Sequence, residues 1–91
     1  MEFKYEKNRV YLDNENGEMI AEVTFPAKDD KTVVLNHTFV DDSLRGQGIA
    51  SKLMEEAYTK IKEDNKKVVL TCSYAVKWFE KNKQYRDIVA E

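Results

Sequence analysis

The chain holds one cysteine, one histidine, one tryptophan, one proline and three glycines among its 91 residues. A lone thiol cannot form an internal disulfide, and with a single imidazole it argues against a structural zinc site within the chain. Long apolar runs are also missing: the interior has only trios such as Val33, Val34, Leu35 and Val68, Val69, Leu70, far below the ~20 residues that cross a bilayer. The opening residues, Met1 to Lys7, lack the apolar segment and the small-residue cleavage site of a secretory signal. A cytoplasmic protein without membrane attachment is expected. Positive charge is not in excess either, since 15 Lys and Arg against 17 Asp and Glu leave a net charge of −2, which disfavours nucleic-acid and anionic-lipid partners.

What is present is a globular balance, 42% hydrophobic and 35% charged, sized for one domain over residues 1–91 and one core. The charge is uneven along it. Residues 1–42 carry five basic and ten acidic side chains and residues 43–91 ten and seven, that is −5 against +3. Solvated lysines account for such a bias by themselves, so it gains meaning only beside a motif.

Val10 and Leu12 alternate with Arg9, Tyr11 and Asp13 before a turn ending in Asn16-Gly17, which predicts a β-hairpin with a second arm from Met19 to Phe25. Pro26 ends that arm. Thr32 to Val40 is β-branched and apolar, as in a central strand covered on both faces. The period then changes: Ile49, Ala50, Leu53, Met54, Ala57, Tyr58 and Ile61 form one stripe at helical spacing, with the helix ending near Asp64 and Asn65. Val68 to Thr71 reads as a short strand parallel to the third. Ser73 is placed to cap a second helix that buries Tyr74, Ala75, Trp78 and Phe79, and Tyr85, Ile88 and Val89 form a last helical turn. The expected fold is α+β: three antiparallel strands, a crossover helix, a parallel fourth strand and short C-terminal helices.

Between the third strand and the long helix lies Asp41-Asp42-Ser43-Leu44-Arg45-Gly46-Gln47-Gly48-Ile49-Ala50. The helix opens after Gly-x-Gly with no Ser, Thr, Asp or Asn to satisfy its free N–H groups. Glycines permit close backbone approach and the helix start carries partial positive charge, so a phosphate is a natural partner; a purely structural strand-to-helix turn is the alternative. There is no Lys-Ser or Lys-Thr pair for a P-loop and no third glycine for a dinucleotide fold.

Arg45, Gly48 and Ala50, in this turn after a strand, resemble the signature of the GNAT superfamily of N-acetyltransferases, and the order of elements over roughly residues 9–89 resembles its short branch. The resemblance implies acetyl-CoA held between the strands ending at Val40 and Thr71. Its pyrophosphate would rest on backbone N–H groups of Arg45, Gly46, Gln47, Gly48, Ile49 and Ala50, and its pantetheine arm would pair with the backbone near Phe39 and Val40. Lys52, Lys77 and Lys81 are the candidates for its distal phosphate. Longer members add N-terminal helices and closing strands that this chain is too short to contain, so an open acceptor site is expected. The tyrosine that often protonates the departing thiolate in longer members falls here at Phe79, which has no hydroxyl.

Cys72, beside the implied thioester, either accepts the acetyl group or lines the pocket, and His37 serves as a base or packs beside Val33, Leu35 and Phe39. Tyr74 and Tyr85 are further proton donors or core aromatics. The expected function is acetyl-CoA-dependent transfer of acetyl to a primary amine by direct attack in a ternary complex, in a monomer without metal. A CoA-binding module with little turnover is the alternative, and a plain interaction domain leaves the uncapped glycine turn unexplained.

Overall fold

Val10 and Leu12 are buried on strand β2 (Arg9–Asp13), and Ala21 and Val23 are buried on β3 (Met19–Thr24). This is the alternation the sequence predicts for a hairpin with one covered face. In a computed structural model describing residues 2–90, the turn between them closes where the Gly17 N–H donates to the Asn14 carbonyl at 3.0 Å, with Gly17 at φ +80°. A short strand that the sequence reading does not contain, β1 (Lys4–Glu6), pairs with β2. Its three residues are all exposed, so no apolar alternation marked it.

The long third strand is a correction. It breaks at Asn36 into β4 (Thr32–Leu35) and β5 (His37–Val40). β5 completes an antiparallel sheet in the order β1-β2-β3-β5, while β4 pairs in parallel with β6 (Lys67–Leu70) in a separate two-stranded sheet. Asn36 is held by its own N–H on the Thr24 carbonyl (3.3 Å) and by the Thr24 hydroxyl on its side-chain oxygen (2.7 Å). The break also shifts the alternation by one residue. Val33 and Leu35 point into the core before it, whereas Thr38 and Val40, opposite the buried Val23 and Ala21, point inward after it. Coverage on both faces is therefore not found: His37 and Phe39 lie on the exposed outer face.

Helix α1 (Ile49–Glu63) buries Ile49, Leu53, Met54, Ala57 and Ile61 against the inner face of the sheet, as its stripe predicts, and ends at Asp64 with Asn65 at φ +58°. Helix α2 (Ser73–Lys81) buries Ala75, Trp78 and Phe79. Two details differ from expectation here. Cys72, not Ser73, is the residue before the first helical turn, with no side-chain cap, and Tyr74 is 39% exposed instead of buried. A 3-10 segment, Lys83–Ile88, then packs back on both helices, and the Ala90 N–H donates to the Val68 carbonyl at 2.8 Å. Fully buried Leu53, Met54 and Phe79 each stabilise the fold by about 1.5–3 kcal/mol through apolar burial. Among the described residues no helix is long and apolar enough to cross a membrane.

Candidate functional site

The split of the long strand creates a fork. β4 and β6 run side by side as far as Leu35 and Leu70, where the Leu35 carbonyl accepts from both Thr71 N–H (3.1 Å) and Cys72 N–H (3.3 Å). Beyond that point the two neighbours part: β5 turns to pair with β3 while the other chain enters α2. Thr38 and Cys72 face each other across the opening, with the Cys72 thiol 3.7 Å from the Thr38 hydroxyl.

Past the end of β5, Asp41 accepts from the Ser43 N–H at 3.0 Å and caps a 3-10 turn, Asp42–Leu44. The Ser43 hydroxyl and N–H together hold the Asp41 carboxyl below its usual range. Leu44 anchors the loop in the core. Gly46 at φ +81° and Gly48 at φ +71° then swing the backbone into α1, and a Cβ at either would meet nothing within 4 Å. Packing does not demand glycine there. The left-handed backbone does, and the space before it is open.

Gly48 is the N-cap of α1 and has no side chain to supply a cap. The first helical bond runs from Lys52 N–H to the Gly48 carbonyl at 3.1 Å, so the N–H groups of Ile49, Ala50 and Ser51 stand ahead of the ladder. They open on a cleft of about 680 Å³ bounded by Val40, Arg45, Gly46, Gly48, Ser51 and Tyr74, among others.

Most of the residues singled out from sequence meet here, and some do not. Arg45, Gly46, Gly48, Ile49 and Ala50 border the cleft with Val40. The amides of Arg45 and Gln47 are already used, donating to the carbonyls of Asp42 (3.1 Å) and Leu44 (3.3 Å). The Arg45 guanidinium pairs with Asp42 at 2.9 Å, both side chains being largely exposed. Because the Asp41 N–H donates to the Ile20 carbonyl, antiparallel alternation turns the backbone of Phe39 toward β3 and that of Val40 toward the fork. Phe39 is thus displaced from the cleft, its ring on the outer face.

His37 is displaced as well. It lies on the outer face, 3.4 Å from the Glu22 carboxylate, while Thr38 beside it reaches inward to Cys72. The sheet therefore separates His37 from Cys72, and the packed position beside Val33 and Leu35 is not found. Phe79 is fully buried in the core. Tyr85 stacks on Trp78 with centroids 5.0 Å apart, which leaves Tyr74 as the phenol on the cleft wall. Burial pushes its hydroxyl above the ordinary tyrosine range, so it is protonated at neutral pH. Sequence reasoning missed Ser51 altogether.

A family model described as GCN5-related N-acetyl-transferase matches residues 9–88. The chain belongs to that family. A GCN5-like protein from Staphylococcus aureus, solved by NMR, superimposes with a TM-score of 0.80 at 31% identity, over 98% of this chain and 87% of that one. A GNAT family N-acetyltransferase (YhbS) from Escherichia coli, crystallised in complex with CoA, gives a TM-score of 0.60 at 26% identity over 68% of this chain and 38% of that one. Among curated proteins, Protein NATD1 of Xenopus tropicalis is 44% identical over 52 residues, 57% of this chain and 48% of its own length. The chain spans about half the length of the curated relatives it matches. The α+β fold expected from sequence is the fold of this family.

Proposed function

We propose that the chain is an acetyl-CoA-dependent N-acetyltransferase acting on a primary amine. The carrying observation is the uncapped start of α1 behind two left-handed glycines, with its free N–H groups facing the cleft beside the fork. Such a turn suits a diphosphate, and the open space before Gly46 and Gly48 is where a Cβ would intrude on one. The Escherichia coli relative in complex with CoA supports the same reading.

In this reading the diphosphate rests on the N–H groups of Gly46, Gly48, Ile49 and Ala50, and the pantetheine arm runs along β5, where Val40 turns its backbone to the fork. The acetyl end then lies near Thr38 and Cys72. The neutral amine attacks the thioester carbonyl carbon directly: a C–N bond forms, the C–S bond breaks, the amine nitrogen gives up a proton and the thiolate takes one. Tyr74 is the protonated phenol on the cleft wall and the nearest counterpart of the proton donor that Phe79 cannot be. Rate acceleration rests on holding amine and thioester together. Lys52, Lys77 and Lys81 remain the candidates for the distal phosphate.

The missing hydroxyl at Phe79, with the same glycine turn, supports one second reading, a CoA-binding module with little turnover. Release of free CoA from acetyl-CoA, measured across a panel of primary amines, separates the two: amine-dependent release is expected, and tight CoA binding without release for any amine would favour the module. No change in melting temperature at millimolar acetyl-CoA would sink both. Binding of CoA that is weakened by salt and tighter than that of the analogue lacking the ribose phosphate is expected if a lysine meets that phosphate.

A further inference from the structure

The one indole N–H of the chain, on Trp78, donates to the Ser51 hydroxyl oxygen at 2.8 Å, joining α2 to the first turn of α1 across 27 residues of sequence. Trp78 is 6% exposed, and its ring is packed by other aromatics. Tyr85 stacks on it at 5.0 Å and the Phe79 ring meets it edge-on at 4.9 Å.

A serine hydroxyl has one proton to give and two lone pairs. Inside a helix that proton can return to the carbonyl four residues back, as the Thr59 hydroxyl does to Glu55 at 3.0 Å; Ser51 is the third residue of α1, and the residue four back, Gln47, lies before the helix. Among the described residues the Ser51 hydroxyl makes one hydrogen bond, accepting from Trp78. With that lone pair taken, the proton is oriented away from the indole, and Ser51 borders the cleft beside Gly46 and Gly48. Accepting a bond also strengthens a hydroxyl as a donor.

We propose that Ser51 donates its hydroxyl proton to the anionic ligand of the cleft and that Trp78 is the positioning residue that aims it. The inference rests on the CoA reading above and adds to the backbone N–H groups a side-chain donor directed from the opposite helix. It gives Trp78 a role beyond filling the core, since a phenylalanine would fill most of the same space without an N–H to give.

The test compares CoA with pantetheine, which lacks the diphosphate, by NMR titration of wild type, Ser51→Ala, Ser51→Thr and Trp78→Phe. Ser51→Ala is expected to weaken CoA about tenfold, the scale of one hydrogen bond to a charged group, and to leave pantetheine unchanged. Ser51→Thr restores CoA affinity. Trp78→Phe weakens CoA to a similar degree, and the double variant Ser51→Ala with Trp78→Phe is no weaker than Ser51→Ala alone. Should Trp78→Phe unfold, Ser51→Ala and its threonine rescue carry the test, because they leave the core intact. Equal weakening of CoA and pantetheine would reduce both residues to packing and overturn the inference, as would a Ser51→Ala variant with wild-type CoA affinity. Failure of the wild type to bind CoA would instead overturn the reading beneath it.

Discussion

Thr38, on β5, and Cys72, at the start of α2, face each other, the thiol donating to the threonine hydroxyl at 3.7 Å where β5 and the chain leaving β6 part. If the thioester end of acetyl-CoA lies here, the ligand should shield Cys72, the only thiol in the chain, from iodoacetamide. Alkylation followed by mass spectrometry is expected to slow about tenfold at ten times the Kd. Equal rates with and without acetyl-CoA would place the thioester elsewhere. Cys72→Ala is expected to keep CoA binding and most of the turnover. An acetyl adduct on Cys72 that passes to amine at a competent rate would make the thiol a carrier instead.

Gly48 at φ +71° offers a cleaner test of the anion turn. Valine there strains the backbone by about 1–2 kcal/mol, or about 5–15 °C in Tm for a domain of this size. Beyond its own local backbone, a Cβ there meets nothing within 4 Å, so the fold should persist. Gly48→Val is expected to abolish the Tm increase produced by acetyl-CoA. Gly17→Val, at φ +80° in the β2–β3 turn with equally open surroundings, should lose similar stability and keep that increase. A full acetyl-CoA response in Gly48→Val would remove the turn from the binding site.

A pH effect is expected at the far end of α1. The Lys62 ammonium, 2.8 Å from the Asp87 carboxylate, holds that carboxyl below the ordinary range. The folded pKa being the lower one, the stabilisation is fully present above the unfolded value near 4 and is lost as the pH falls through the folded value. Asp87→Asn should therefore melt below wild type at pH 7, with the gap closing by about pH 2. The gap should be small, because both side chains are about half exposed (57% and 47%). A gap that persists in acid would assign the stabilisation to something other than charge.

Much of this arrangement was legible in the residues themselves. Gly46, Gly48 and the missing cap give the uncapped turn, and the Ile49-to-Ile61 stripe gives α1, because both are local patterns. The break at Asn36 was not legible, since Val33, Val34, Leu35 and then Phe39 and Val40 are equally good strand formers on either side of it. What divides them is a choice of partner, β6 for one half and β3 for the other, which no local preference records. That single shift in alternation also misplaced His37 and Phe39. Ser51 was invisible for a related reason: its significance comes from Trp78, 27 positions away. Tyr74 sits in the apolar stripe of α2 and looked like core, but the fork leaves no strand to cover it.

The fork has a cost for the chain when nothing fills it. β5 ends the four-stranded sheet, and the register leaves the backbone of Thr38 and Val40 turned to the side where, among the described residues, no strand lies beside them. An open β-edge is a template on which another chain can polymerise. At four residues this one is short, which limits the hazard without removing it. A ligand arm lying along β5 would act as a surrogate strand, so the same vacancy that admits a cofactor also makes colloidal behaviour depend on it. Light scattering on heating should show ligand-free protein aggregating earlier than protein saturated with CoA, beyond what the difference in melting temperature explains.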